Sequence, residues 1–230
     1  MAIADKLLRA KEDLDGVYTA ATEAFWDNLQ NNGKRTDYRY AFYYGAYTHI
    51  DPKWKVAASN ADNLFAACGA LESVNWSKFD LSRVSSLYSA FGLCDKLEEV
   101  DTELNVVDGT PTLLNSIFRK CYALKRVKKL TAYPSAVWKQ SFEGCSALEH
   151  ILFDGTIGSS GLDLKECTRL DGQSIYSVIQ ALSDTAVGQS VTLSKAAVDT
   201  AFGTEDYDGS DGMEWDLLTQ EKSNWTIILR

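Results

Sequence analysis

Apolar residues along this chain return in one fixed figure: Phe65-x-x-Cys68-x-x-Leu71-x-x-Val74, Phe91-x-x-Cys94-x-x-Leu97-x-x-Val100, Phe118-x-x-Cys121-x-x-Leu124-x-x-Val127 and Phe142-x-x-Cys145-x-x-Leu148-x-x-Ile151. A weaker fifth copy is Leu164-x-x-Cys167-x-x-Leu170. All five cysteines of the chain hold the same place in the figure, at successive separations of 26, 27, 24 and 22 residues. A period of this length marks a stack of short supersecondary units, none of which buries its apolar side alone.

Each unit predicts two elements. An apolar residue four places before the Phe (Leu87, Leu114, Trp138) puts a buried stripe on a short helix leading into the figure. Around Val74, Val100, Val127 and Ile151 the pattern turns to period two, as in Ile151-Leu152-Phe153, which predicts a short strand. The expected fold is therefore an α/β leucine-rich-repeat solenoid over 63–170, with Phe, Cys, Leu and Val in continuous internal ladders. Cysteine suits a ladder because it is a small hydrophobe that still donates weakly to a carbonyl. Rival roles for Cys68, Cys94, Cys121, Cys145 and Cys167 are a metal cluster, a redox centre or a disulfide chain. Zinc sites want C-x2-C pairs, which are missing, and His49 and His150 are the only histidines available to assist a catalytic thiol. The structural ladder is the preferred reading, with no cofactor and no metal.

Three further segments flank the repeats. Residues 1–33 predict a helix over 3–29, stopped by Asn31-Asn32-Gly33. Ile3, Leu7, Ala10, Leu14, Val17, Ala21 and Ala24 follow seam spacing, which suits either oligomerisation or docking on a larger particle, or packing against the chain's own solenoid. Residues 34–62 are rich in aromatics (Tyr38, Tyr40, Phe42, Tyr43, Tyr44, Tyr47, Trp54) and read as a cap over the first rung, with a sugar-stacking surface as the alternative. Residues 171–230 read as a C-terminal cap with strands at 191–193 and 225–229 and a helix near 196–202. Its acidic stretch 205–212 departs from a calcium loop, with the glycine one place late and Leu217 where the bidentate Glu belongs, so a solvated loop is expected. Asn75-Trp76-Ser77 and Asn224-Trp225-Thr226 fit glycosylation sequons, a short and weak match.

If the strand residues Val74, Val100, Val127 and Ile151 point inward, their neighbours point out together. Ser73, Glu99, Arg126 and His150 then form one column, and Asn75, Asp101, Lys128 and Leu152 the next. Glu99 beside Arg126 and Asp101 beside Lys128 are opposite charges on adjacent strands. They either stabilise the sheet or form a polar recognition strip for a glycan or protein, of which Asn75, Glu99, Asp101, Arg126, Lys128 and His150 are the candidate binding residues.

Composition narrows the classes of partner. A formal net charge of -9 disfavours nucleic acid, which needs a basic field. Without an apolar run of about 18 residues no membrane span is expected. The opening Met1-Ala2-Ile3-Ala4-Asp5-Lys6 lacks the layout of a secretory signal, so export by the general route is not expected. Neither a paired acid–base constellation nor a Gly-rich phosphate loop stands out, so an enzyme is not expected.

The Phe-x-x-Cys-x-x-Leu-x-x-Val/Ile unit resembles the BspA-like leucine-rich-repeat family, and the ending around Trp215-Leu217-Leu218 and 222–227 is similar to that family's. The Ile-Pro step common after the first strand of such repeats is absent. The openings at 6–14 and 24–27 look like the phage-associated versions. The resemblance implies a non-enzymatic component of a phage or phage-derived particle, such as a tail or receptor-binding protein, that attaches to a cell-surface glycan or protein. The alternative it implies is a bacterial surface adhesin or secreted protein-interaction module. Location follows the same split: virion or particle, or else the cell surface.

Overall fold

A computed structural model describes residues 23–31, 33–107, 113–203 and 215–230. The seam residues from Ile3 to Ala21 and the acidic stretch 205–212 lie outside the described residues. The chain winds into a β-solenoid of about five turns with few helices. Its strands are β1 (His49–Ile50), β2 (Val56–Ala57), β3 (Ser73–Val74), β4 (Phe79–Val84), β5 (Glu99–Val106), β6 (Arg126–Ala132), β7 (His150–Gly155), β8 (Asp163–Leu164), β9 (Gln189–Leu193) and β10 (Trp225–Leu229). All pair in parallel: β1 with β3; β2-β4-β5-β6-β7 as one sheet; β10-β9-β8 as another. Helices are α1 (Glu23–Gln30), α2 (Gly172–Ala181), α3 (Lys195–Phe202) and α4 (Trp215–Gln220).

The repeat figure builds the wall opposite the strands, and that wall is not helical. Leu87, Leu114 and Trp138 are buried as the spacing requires, but they enter a run of turns. Each turn closes by an N–H to the carbonyl three residues back: Cys68 to Phe65 at 3.0 Å, Cys121 to Phe118 at 3.0 Å, Leu124 to Cys121 at 3.2 Å. Residues two before and two after each Phe take the left-handed conformation: Tyr40 and Tyr44, Asn63 and Ala67, Ser89 and Leu93, Ser116 and Lys120, Gln140 and Gly144, with φ between +50° and +83°. One left-handed residue per turn stops a helix from propagating and swings the alternate N–H groups along the solenoid axis. Those groups then bond the next coil: Phe42 to the carbonyl of Leu64 (2.9 Å), Phe65 to Ala90 (2.8 Å), Phe91 to Ile117 (2.9 Å) and Phe118 to Ser141 (2.9 Å). Buried backbone must find partners, and here it finds them between coils rather than within one. Three-residue apolar spacing thus comes from these closed turns, which corrects the expected helix–strand unit.

Side chains inside the coil lock this register. Phe42, Phe65, Phe91 and Phe118 stack in sequence with ring centroids 5.2, 5.6 and 5.3 Å apart, and Phe142 follows at 5.6 Å, tilted 37°. Such pairs add roughly 0.5–1.5 kcal/mol each beyond area burial. The cysteines lie beside them, all free and buried. Cys68, Cys94, Cys121 and Cys145 donate from Sγ to the carbonyls of Phe42, Phe65, Phe91 and Phe118, each in the preceding coil, at 2.8–3.1 Å. Phe42 carries the ladder into 34–62, where His49 and Ile50 pair with Ser73 and Val74.

Different elements pack at the two ends of the stack. At the first coil, α1 stops at Asn31 (φ +49°) and Gly33 (φ +78°), as the Asn-Asn-Gly stop implies. Its buried Gln30 gives Nε2–H to the Trp54 carbonyl (3.0 Å) and accepts the Trp54 N–H at Oε1 (3.1 Å), while Lys53 pairs with Asp27 (3.0 Å). The end of the predicted N-terminal helix therefore packs on its own solenoid. At the last strand, α2 lies along the outer edge of β7. Ser174 and Ser177 hydroxyls accept the Ile151 and Phe153 N–H groups, each at 3.0 Å, where a further strand would otherwise supply carbonyls. Beyond it, β9, α3 and β10 form where the sequence pattern puts them. The tail at 222–225 pins the 182–186 loop: the buried Lys222 ammonium donates to the Leu182 carbonyl (2.7 Å), and Asn224 Nδ2 donates to Ser183 and Ala186 carbonyls (2.9 and 2.6 Å). Both amide hydrogens of Asn224 are thereby engaged, which leaves its sequon without a free acceptor nitrogen.

Candidate functional site

The first predicted column forms from Glu99 to His150, while Ser73 lies in the separate β1–β3 sheet. Glu99 faces Arg126 and Arg126 faces His150 in parallel register, because inward Val100, Val127 and Ile151 force their neighbours outward. With Ser73 they line a groove of about 760 Å³ across the strand starts, walled by Trp76 and edged by Glu72, Lys96 and Lys125. Sequence reasoning missed two contributors. His49 pairs with Ser73, its Nδ1 2.6 Å from the Ser73 Oγ. Trp76 is buried on a 3-10 turn (Trp76–Lys78), its Nε1–H donating to the Glu99 carbonyl at 3.2 Å. The aromatic-then-Ser sequence after an inward Val was a signal for neither.

The second column does not form. β-Bulges between Val100 and Glu103 and between Val127 and Leu130 shift the register, so Glu103, not Asp101, meets the neighbouring strand in step, opposite Lys129. Asp101 and Lys128 line a separate hollow of about 470 Å³ with Lys55 and Asp80, also bordered by Trp76. Asn75 is turned away to Asp51, donating at 2.9 Å, and accepts the Ser77 hydroxyl at 2.6 Å. Ion pairs on this face accordingly fall on residues other than those expected: Lys125 with Glu98 (2.9 Å), Lys96 with Glu72 (3.5 Å), and Lys129 with both Glu103 (3.6 Å) and Asp154 (3.4 Å). Among the described residues, Glu99 and Arg126 engage no ion pair, so both charges face the groove uncommitted.

His150 closes the column against Asp171, its Nδ1 2.7 Å from Oδ2. Asp171 is also the N-cap of α2, accepting the Ser174 N–H at 2.7 Å. Burial pushes the Asp171 carboxyl up, but hydrogen bonds from Ser174 and His150 outweigh it and hold it below the usual carboxylate range. The thiols behave in the opposite sense. Desolvation pushes Cys68 and Cys121 up to about 12, and Cys94, Cys145 and Cys167 are raised as well, the first two further by neighbouring thiols. Such thiols stay protonated and sealed at neutral pH. Among the described residues, no group of three His, Cys, Asp or Glu side chains is placed to hold a metal ion, and no described helix is long and apolar enough to cross a membrane.

The groove offers a carboxylate, a guanidinium and the edge of a buried indole side by side on stacked coils. No family model matches this chain, nor does any curated protein or solved structure.

Proposed function

We propose that this chain is a non-enzymatic binding protein of BspA-like leucine-rich-repeat type that recognises a cell-surface glycan or protein through the groove over β5, β6 and β7. The observation that carries the reading is the in-register row Glu99, Arg126 and His150, with two of its charges unspent, on strands held rigid by stacked rungs. Residues 34–62 and 171–230 serve as caps that leave the groove as the exposed working face. Its place as a tail or receptor-binding component of a phage or phage-derived particle rests on the sequence resemblance, and an adhesin or interaction module is the alternative.

Two measurements test the reading. The chain should be recovered at fixed stoichiometry in purified particles; its absence there contradicts the particle assignment. Arg126→Glu should weaken retention on immobilised bacterial cell-wall polysaccharide about tenfold, the scale of one desolvated charge contact at roughly 1.4 kcal/mol. Retention equal to that of the unmodified chain contradicts the groove.

A further inference from the structure

The inter-coil ladder on the turn wall is polar, and it runs out before the chain does. Every bond described above points the same way, with N–H groups towards the C-terminal end. In the fourth repeat the next donors in the row are Gln140, Phe142 and Gly144. The coil that ought to receive them is drawn aside, because β8 pairs with β9 instead of stacking on the repeats. A hollow of about 440 Å³ opens in the gap, with Gln140 and Phe142 on one wall and Gly161, Asp163 and Glu166 on the other. Gly144 N–H is met across it by the Glu166 carboxylate at 2.6 Å. Among the described residues, no acceptor takes the N–H of Gln140 or Phe142.

Two more donors border the same hollow. Trp138 is 1% exposed, lines it, and its indole N–H has no acceptor among the described residues. Lys139 also lines it and makes no ion pair among the described residues. The other charges are spent locally: Asp163 on Lys165 (3.0 Å), Glu143 on Arg119 (3.2 Å) and Gln140 (2.8 Å), Glu166 on Gly144. Between left-handed Gln140 and Gly144 the N–H groups of alternate residues face the hollow, as those of Ser116, Phe118 and Lys120 face the carbonyls of the next coil.

We infer that this hollow is a binding site for a ligand carboxylate, held by the N–H groups of Gln140 and Phe142 and the ammonium of Lys139. Glu166 on the next N–H of the row shows that a carboxylate can take the place of the missing carbonyl. The hollow is separate from the strand-face groove, so either can fail without the other.

Amide NMR of the full chain, titrated with galacturonate and with acetate, tests it, methyl galactoside serving as the neutral control. Both acids should shift the Gln140 and Phe142 amides while methyl galactoside leaves them in place. Lys139→Glu, at an exposed position, should weaken the response at least tenfold, and Lys139→Arg should retain it. Unmoved amides at tens of millimolar acid, an equal response to the neutral sugar, or a Lys139→Glu response like that of the unmodified chain would each overturn the inference.

Discussion

The two walls of this solenoid bury the same kind of side chain and solve the backbone problem differently. On the strand wall, parallel β-pairing accepts bulges, and its register slips twice between β5 and β7. On the turn wall, N–H groups of alternate residues reach the next coil without a slip from Phe42 to Ser141. The difference lies in what fills each wall from inside. Stacked Phe rings and thiols bonded to Phe carbonyls hold every coil of the turn wall to one register, whereas branched aliphatics on the strand wall tolerate an extra residue. A wall without strands is here the more regular of the two.

Breaking the rings should have the largest effect. Phe118 is fully buried between Phe91 and Phe142, so Phe118→Ala should cost about 3–5 kcal/mol in urea unfolding. A loss under about 1 kcal/mol would mean that the ring ladder does not hold the wall.

The walls also end differently, and a smaller effect tests that contrast. The strand wall ends against α2, whose N-cap is Asp171. Asp171→Ala should cost about 1 kcal/mol at neutral pH. Because the folded-state carboxyl is held below its ordinary value, this contribution is present above the unfolded pKa of about 3.9 and fades as pH falls through the lower folded value. The difference between parent and variant should therefore shrink as pH falls below about 4. A difference that grows on acidification would contradict the assigned direction.

Much of the fold could be read from the chain, and the errors have physical causes. The cysteine period located the rungs from Phe65 to Phe142 because burial repeats with the coil, but not the Phe42 rung, where Gly45 takes the thiol's place; the inward Val and Ile fixed the Glu99–Arg126–His150 row. Phe-x-x-Cys-x-x-Leu misled because a three-residue turn and a helix both return an apolar side chain to one face at nearly the same interval. Left-handed residues between them decide the outcome, and only one of these, Gly144, is a glycine; Leu93 and Lys120 give no warning. The Asp101–Lys128 pair failed because two residues separate inward Val127 from Leu130 while three separate Val100 from Leu104, so the strands fall out of step beyond Val127. His49 and Trp76 escaped notice because each sits where a strand is shorter than its neighbours.

The central claim, that left-handed turns rather than helices carry the repeat figure, has a direct test in the sign of one stability change. Ser116 and Lys120 flank Phe118 with φ of +56° and +60°, a conformation that burdens an L-residue by roughly 1–2 kcal/mol and glycine hardly at all. Replacing both by glycine should raise the unfolding free energy by about 1 kcal/mol, after the larger unfolded-chain entropy of glycine is subtracted. In a helix the same pair would lower it by about 1 kcal/mol per site, and a fall of that size would contradict the account.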